Sequence, residues 1–257
     1  MCLILVAWRT HPRYPLVLAA NRDELHARAA MQAHWWADRP RILAGRDLAA
    51  GGTWLGVTRS GQLAALTNFR SGSSARPVGR TRGEIVVNLL ESAVPVGQRL
   101  SELQHDQSQY GGFNVICSDG DRLGIFESAT GTGRILDPGI YGLSNHLLDT
   151  PWPKVELAKS KIAIALGSAP DDDALLELLR DDTAAPDHAL PRTGISREWE
   201  RLLSSAFIRH AEYGTRCSTV IRIGTDQRIE FREWTWDIAG TLLDDVRFEF
   251  EIETPVR

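Results

Sequence analysis

The chain announces its strands and helices in blocks. Strand-like apolar stretches come in runs joined by tight-turn signals, and helical periods come grouped between those runs instead of alternating with single strands. The first half is strand-rich: 2–8, then 15–20 after the turn signal His11-Pro12-Arg13, then 53–58 and 62–67 joined as a hairpin through Ser60-Gly61. Ile85, Val86, Leu89 and Leu90 share one face of an amphipathic helix over 82–93, continued by a second near 99–105. Strands over 113–118 and 122–127 flank Asp119-Gly120-Asp121, and short strands at 133–136 and 140–143 lead into Ser144-Asn145. Helices follow over 152–166, over 172–179 with an acidic first turn, and over 197–207. The chain closes with strands at 217–223, 228–236 and 245–252, where Arg247-Phe248-Glu249-Phe250-Glu251-Ile252 alternates cleanly. About ten antiparallel strands with helices inserted as blocks predict an α+β fold of stacked sheets covered by helices. Segment 181–196, rich in Asp, Ala and Pro, reads as a mobile surface loop without chemistry.

No composition break marks a linker, so the expectation is one domain over 1–257, long enough to bury a core without disulfides. Lys and Arg number 29 against 33 Asp and Glu, for a net charge of −4, and the arginines are scattered among carboxylates. That balance offers no footprint for a nucleic-acid backbone. No stretch approaches the ~20 apolar residues that span a bilayer. The apolar start 2–8 lacks a positive residue before it and reads as a strand, not a secretory signal. Three cysteines, Cys2, Cys117 and Cys217, are an odd number at wide spacing, which argues against a disulfide framework or a zinc set and for a reducing, cytoplasmic setting. His26, His34, His105, His146, His188 and His210 show no ligand spacing, so no metal or cofactor is expected, and only His146 stands near a candidate cleft.

Cys2 is the residue with the most chemistry in it. Removal of Met1 leaves one residue carrying a thiol and an α-amine, with ordinary pKa values near ~8.5 and ~7.7–8, so a nucleophile and its base share one side of one residue. The plainer reading is a small apolar residue at the start of a buried strand. The second strand runs directly into Asn21-Arg22-Asp23-Glu24. Strand periodicity puts Asn21 and Asp23 on one face and Arg22 and Glu24 on the other, so one pair alone can face Cys2. A carboxylate there orients an amine and an arginine holds a substrate carboxylate, whereas a solvated helix start needs the same residue types. Asn68 and Asn145 each end a strand, in Leu66-Thr67-Asn68-Phe69-Arg70 and Gly142-Leu143-Ser144-Asn145-His146. Either amide can stabilise an oxyanion, or serve the commoner role of a turn residue. Arg216, in Tyr213-Gly214-Thr215-Arg216-Cys217, is a charge clamp or a surface ion-pair partner. Gly51-Gly52-Thr53-Trp54-Leu55-Gly56 lacks the Lys-Ser/Thr of a phosphate loop and precedes a strand, so it does not cradle phosphate.

Taken together and in this order, Met1-Cys2, Asn21-Arg22-Asp23-Glu24, Gly51 to Gly56, Thr67-Asn68-Phe69-Arg70, Ser144-Asn145 and Tyr213 to Arg216 resemble the NRDE-motif family, which includes the animal transport and Golgi organisation proteins. The likeness spans essentially the whole chain. It implies a four-layer αββα sandwich of two stacked, largely antiparallel sheets, as in N-terminal-nucleophile hydrolases. A more distant similarity, to choloylglycine hydrolase and penicillin V acylase, implies roles. Cys2 is then the nucleophile, Asp23 holds its amine, Asn68 donates to the oxyanion, Asn145 is a second amide near the amine, and Arg216 is the late arginine. Asn21, Arg22 and Arg70 are candidate substrate-binding residues. One departure stands out: those acylases carry an arginine three positions before the aspartate, where this chain has Ala20, and Arg22 adjoins Asp23 and faces away from it.

The expected activity is hydrolysis of a linear amide or related acyl bond of a small molecule. The alternative is a non-enzymatic carrier of an apolar ligand, haem or an acyl-lipid, on the same sandwich. Eight tryptophans, Trp35-Trp36 among them, can line an apolar cleft or simply fill the core.

Overall fold

The computed structural model describes residues 2–70, 79–168 and 170–253. The strands among them are β1 (Cys2–Trp8), β2 (Leu16–Leu25), β3 (Ala30–Trp36), β4 (Arg39–Asp47), β5 (Leu55–Thr58), β6 (Leu63–Asn68), β7 (Phe113–Ser118), β8 (Leu123–Glu127), β9 (Thr132–Leu136), β10 (Gly139–Leu143), β11 (Tyr213–Ile223), β12 (Arg228–Trp236) and β13 (Leu242–Glu251). The helices are α1 (Gly83–Glu91), α2 (Val96–Asp106), α3 (Pro153–Leu166), α4 (Asp172–Leu179) and α5 (Arg197–Leu202). All strand pairs are antiparallel. One sheet has the order β10-β1-β2-β11-β12-β13; the other is a simple meander from β3 to β9.

Period-two burial along β1 and β2 creates the layers. Ile4, Val6, Trp8, Leu16 and Leu18 point between the sheets and meet Leu43, Val57, Leu63, Ile116 and Ile125 of the other sheet. The intervening residues Leu3, Leu5, Val17 and Ala19 point outward under α3 and α4, against Val155, Ile162, Leu175 and Leu179. On the far side Ala64, Leu66, Val115 and Phe126 pack under α1 and α2. Three apolar layers therefore separate four layers of structure, which is the expected αββα sandwich. Each large aliphatic side chain fully removed from water contributes ~1.5–3 kcal/mol relative to exposure, so strands buried on both faces carry most of the stability.

Three local differences from the sequence expectations have physical reasons. β3 and β4 are not announced by alternation, because bulges at Met31/His34 and Trp35/Trp36 interrupt the period. Trp36 is core, its indole N–H donating to the Ala44 carbonyl at 3.0 Å, while Trp35 packs edge-on against Phe250. The helix expected over 197–207 ends at Leu202, since Ser204 and Ser205 turn their hydroxyls onto the carbonyls of Arg201 and Phe207. Segment 181–196 is not a loose loop: Ala185 and Leu190 are buried, and Thr193 is bonded through both its N–H and its hydroxyl to Glu200. No helix among the described residues is long and apolar enough to cross a membrane.

Candidate active site

Cys2 is the first residue of β1 and pairs directly with Arg22 on β2, which in turn pairs with Cys217 on β11. Directly opposed residues share a face, so Cys2, Arg22 and Cys217 form a row at one end of the space between the sheets. Here the apolar layer gives out and polar groups take over. Thr215 pairs with Asp23 and Cys217 with Arg22, which leaves Arg216 as the extra residue of a bulge.

The backbone nitrogen of Cys2 donates to Asn145 Oδ1 at 3.2 Å, and its carbonyl accepts from Ser144 Oγ at 2.9 Å. Asn145, just beyond β10 and 3% exposed, also donates through Nδ2 to the Asn68 carbonyl at 2.7 Å and accepts from the Arg70 N–H at 2.8 Å. One asparagine thus ties the start of β1 to the end of β6 across the two sheets. Cys2 as a residue is partly exposed and lines a cavity of about 250 Å³ together with Arg22, Asp23, Trp54, Asn68 and Arg82. Burial pushes the thiol pKa up; the Asp23 carboxylate adds to this, while the Asp23 backbone N–H and the Arg22 charge oppose it.

Asp23 is buried and accepts from the Thr215 hydroxyl at 2.7 Å. Burial raises its pKa, against the pull of Lys154, Thr215 and Arg22. Lys154, in the first turn of α3, is itself 4% exposed, and burial brings its pKa down to about 8 despite the attraction of Asp23. Arg22 stacks over Trp54 at 4.2 Å from the ring centre and stands 4.0 Å from Asp47, which Arg28 holds at 2.7 Å. Arg82 donates to the Gly112 carbonyl at 3.2 Å. Its position depends on the glycine-dense segment: a Cβ on Gly52 would lie 2.5 Å from the Gly83 carbonyl carbon, so glycine there lets the loop close onto the start of α1.

Of the residues singled out from sequence, Cys2, Asp23, Asn68 and Arg22 border one cavity and Asn145 touches the Cys2 nitrogen. Others are elsewhere. Asn21 projects to the helix side, bonded to the carbonyls of Leu179 and Ala206 and to the Ser218 hydroxyl, so it braces α4 rather than facing Cys2. Arg216 donates to the carbonyls of Leu25, His26 and Arg28 and pins the turn after β2. Arg70 pairs with buried Glu200 at 2.8 Å beside a neighbouring cavity, and burial lowers its pKa to about 10. His146 bonds Thr150 and packs against Phe69 and Trp152. Sequence reasoning passed over Thr215, Lys154 and Arg82. Thr215 stood inside a motif already noticed; Lys154 and Arg82 carry no local signal, being single cations at helix starts. No group of three or more His, Cys, Asp or Glu among the described residues could hold a metal ion.

Comparison with known proteins agrees with this architecture. The family description Transport and Golgi organisation 2 matches residues 1–238. The chain is 36% identical over 257 residues to the Transport and Golgi organization protein 2 homolog of Bos taurus and 34% identical over 257 residues to that of Homo sapiens, covering 91% of this chain and 92% of each relative. Among solved structures, the C2A mutant of conjugated bile acid hydrolase from Clostridium perfringens superimposes with a TM-score of 0.55 over 98% of this chain and 92% of that one, at 7% identity. The two share a fold, that of the N-terminal-nucleophile hydrolases.

Proposed function

The chain belongs to the Transport and Golgi organisation 2 family, and we propose that it is a cysteine N-terminal-nucleophile amidohydrolase that cleaves a linear amide or related acyl bond of a small molecule. One observation carries the reading. Cys2 lines a cavity whose wall includes Asp23 and Asn68, and its backbone nitrogen donates to Asn145 at 3.2 Å.

With Met1 removed, that nitrogen is an α-amine with a pKa near ~7.7–8, able to take the thiol proton at neutral pH. The sulfur attacks the carbonyl carbon, and the tetrahedral oxyanion is held by the Asn68 amide and a backbone N–H, an amide donor at this position being worth ~2.7–4 kcal/mol. The C–N bond breaks as the α-amine passes its proton to the leaving nitrogen, which departs as a free amine. Water, deprotonated by the same α-amine, then attacks the thioester and releases the acid and the thiol. Asn145 keeps the α-amine in place, and Asp23, which accepts from the Thr215 hydroxyl, stands on the same cavity wall to orient that amine.

Cys2→Ala abolishes labelling by a thiol-directed acylating probe while circular dichroism stays unchanged; equal labelling of the variant refutes the assignment. Intact-mass measurement adds a second check, because hydrolysis requires a free Cys2 amine. Fully folded protein that retains Met1 overturns the hydrolase and favours a carrier of an apolar ligand such as haem or an acyl-lipid.

A further inference from the structure

Asn68 is a partition. On one side it lines the Cys2 cavity, whose other walls are rich in arginine; on the other it lines a second cavity of about 410 Å³, within the ~300–1,000 Å³ range of small-molecule sites. The second cavity is apolar. Phe69, Ile195, Trp199, Leu203 and Tyr213 form most of its wall. The charge at its edge is matched: Arg70 donates to Glu200 at 2.8 Å and to Thr193 at 3.2 Å, and Glu200 is 2% exposed. That ion pair also fixes α5, and with it Trp199, against the end of β6.

We propose that this cavity receives the acyl portion of the substrate, an apolar chain or ring, and that Trp199, Leu203 and Ile195 set the acyl length accepted. The assignment rests on the hydrolase reading of Cys2. A carbonyl held at Asn68 has its two substituents on opposite sides of that residue. The amine must leave, and water must enter, while the acyl group is still bonded to sulfur. The polar cavity suits that traffic. The apolar one suits the part that stays through both steps, because burial of apolar surface retains it without a charged partner.

The test uses p-nitrophenyl acetate and p-nitrophenyl hexanoate with the full chain. In each, the Sγ–acyl bond forms, the ester C–O bond breaks, and the thiol proton ends on the released nitrophenol; acylation is read from nitrophenol release and from the mass of the Cys2 peptide. Rates are divided by those of free cysteine. The hexanoate reacts faster than the acetate by about three- to fourfold per added methylene, the rate equivalent of burying each one. Leu203→Trp, which fills the cavity, brings that ratio close to one. Ile195→Trp, on the partly exposed rim, does the same and covers the case in which Leu203→Trp fails to fold. A ratio that is flat in the unmodified protein, or unchanged in the filled variants, overturns the acyl pocket and leaves the Cys2 hydrolase standing. Failure of both esters to acylate Cys2 overturns both.

Discussion

Cys2 and Cys117 are both strand cysteines, and the contrast between their surroundings explains what a site requires in this fold. Cys117, the next-to-last residue of β7, is fully buried and faces the layer under α1 and α2, among Val96, Leu100 and other apolar residues. Burial pushes its thiol up to about 12. Such a thiol is a small apolar side chain and nothing more. Cys2 stands at a strand end, partly exposed, where Arg22 and the Asp23 N–H offset part of the burial and Asn145 holds its nitrogen. The sulfur is the same; the difference is an apolar cluster around Cys117 and a polar cavity beside Cys2. Polar groups cannot be afforded within the layers, so they gather where several strands end together.

The largest expected effect tests that contrast directly. In the native protein iodoacetamide alkylates Cys2 at least about tenfold faster than Cys117, because Cys2 borders a cavity whereas Cys117 is sealed in an apolar layer; peptide mapping reads both sites. Comparable rates would erase the distinction. Next, Asn145→Leu removes both bonds of the bridging amide. It slows Cys2 alkylation by about 10–100-fold through misplacement and costs about 1–3 kcal/mol of stability for the buried groups left unmet, whereas Cys117 stays protected. A variant with unchanged Cys2 reactivity shows that the bridge positions nothing.

The smallest effect concerns Lys154. The folded protein releases its proton at about pH 8, against an ordinary value of 10.5. Between those values the unfolded chain binds more protons, so raising the pH favours the fold, by up to about 1.4 kcal/mol per pH unit. Lys154→Met lacks this rise. Urea denaturation of both proteins from pH 8 to 10 measures it, and parallel stability curves would mean that folding leaves the lysine at its ordinary value.

Much of the layering was legible because β1 and the first half of β2 bury both faces and so read as continuous apolar runs, while α1 and α4 show clear apolar stripes. β3 and β4 were not, since their bulges scramble the alternation. For the site, motif residues at strand ends were visible, but direction was harder to read. Asn21 and Arg22 are adjacent in sequence and face opposite layers, and the register Cys2 to Arg22 decides which of them meets the sulfur. Arg216 illustrates a second limit: a single bulge turns it onto the carbonyls of a turn. Lys154 and Glu200 are charged helix residues whose burial depends wholly on what packs over them, which no local pattern encodes.

The position of β1 within its sheet bears on how the protein is made. The strand bearing Cys2 is flanked by β2 and β10, and β2 in turn by β11, so its immediate neighbours include segments separated from it by more than half the chain. Closing contacts of such long range is slow, and a ribosome has released most of the polypeptide before β11 can dock. Cys2 is therefore made long before its neighbours on β10 and β11, and its surroundings close only once more than half of the stretch that separates β1 from β11 has followed it.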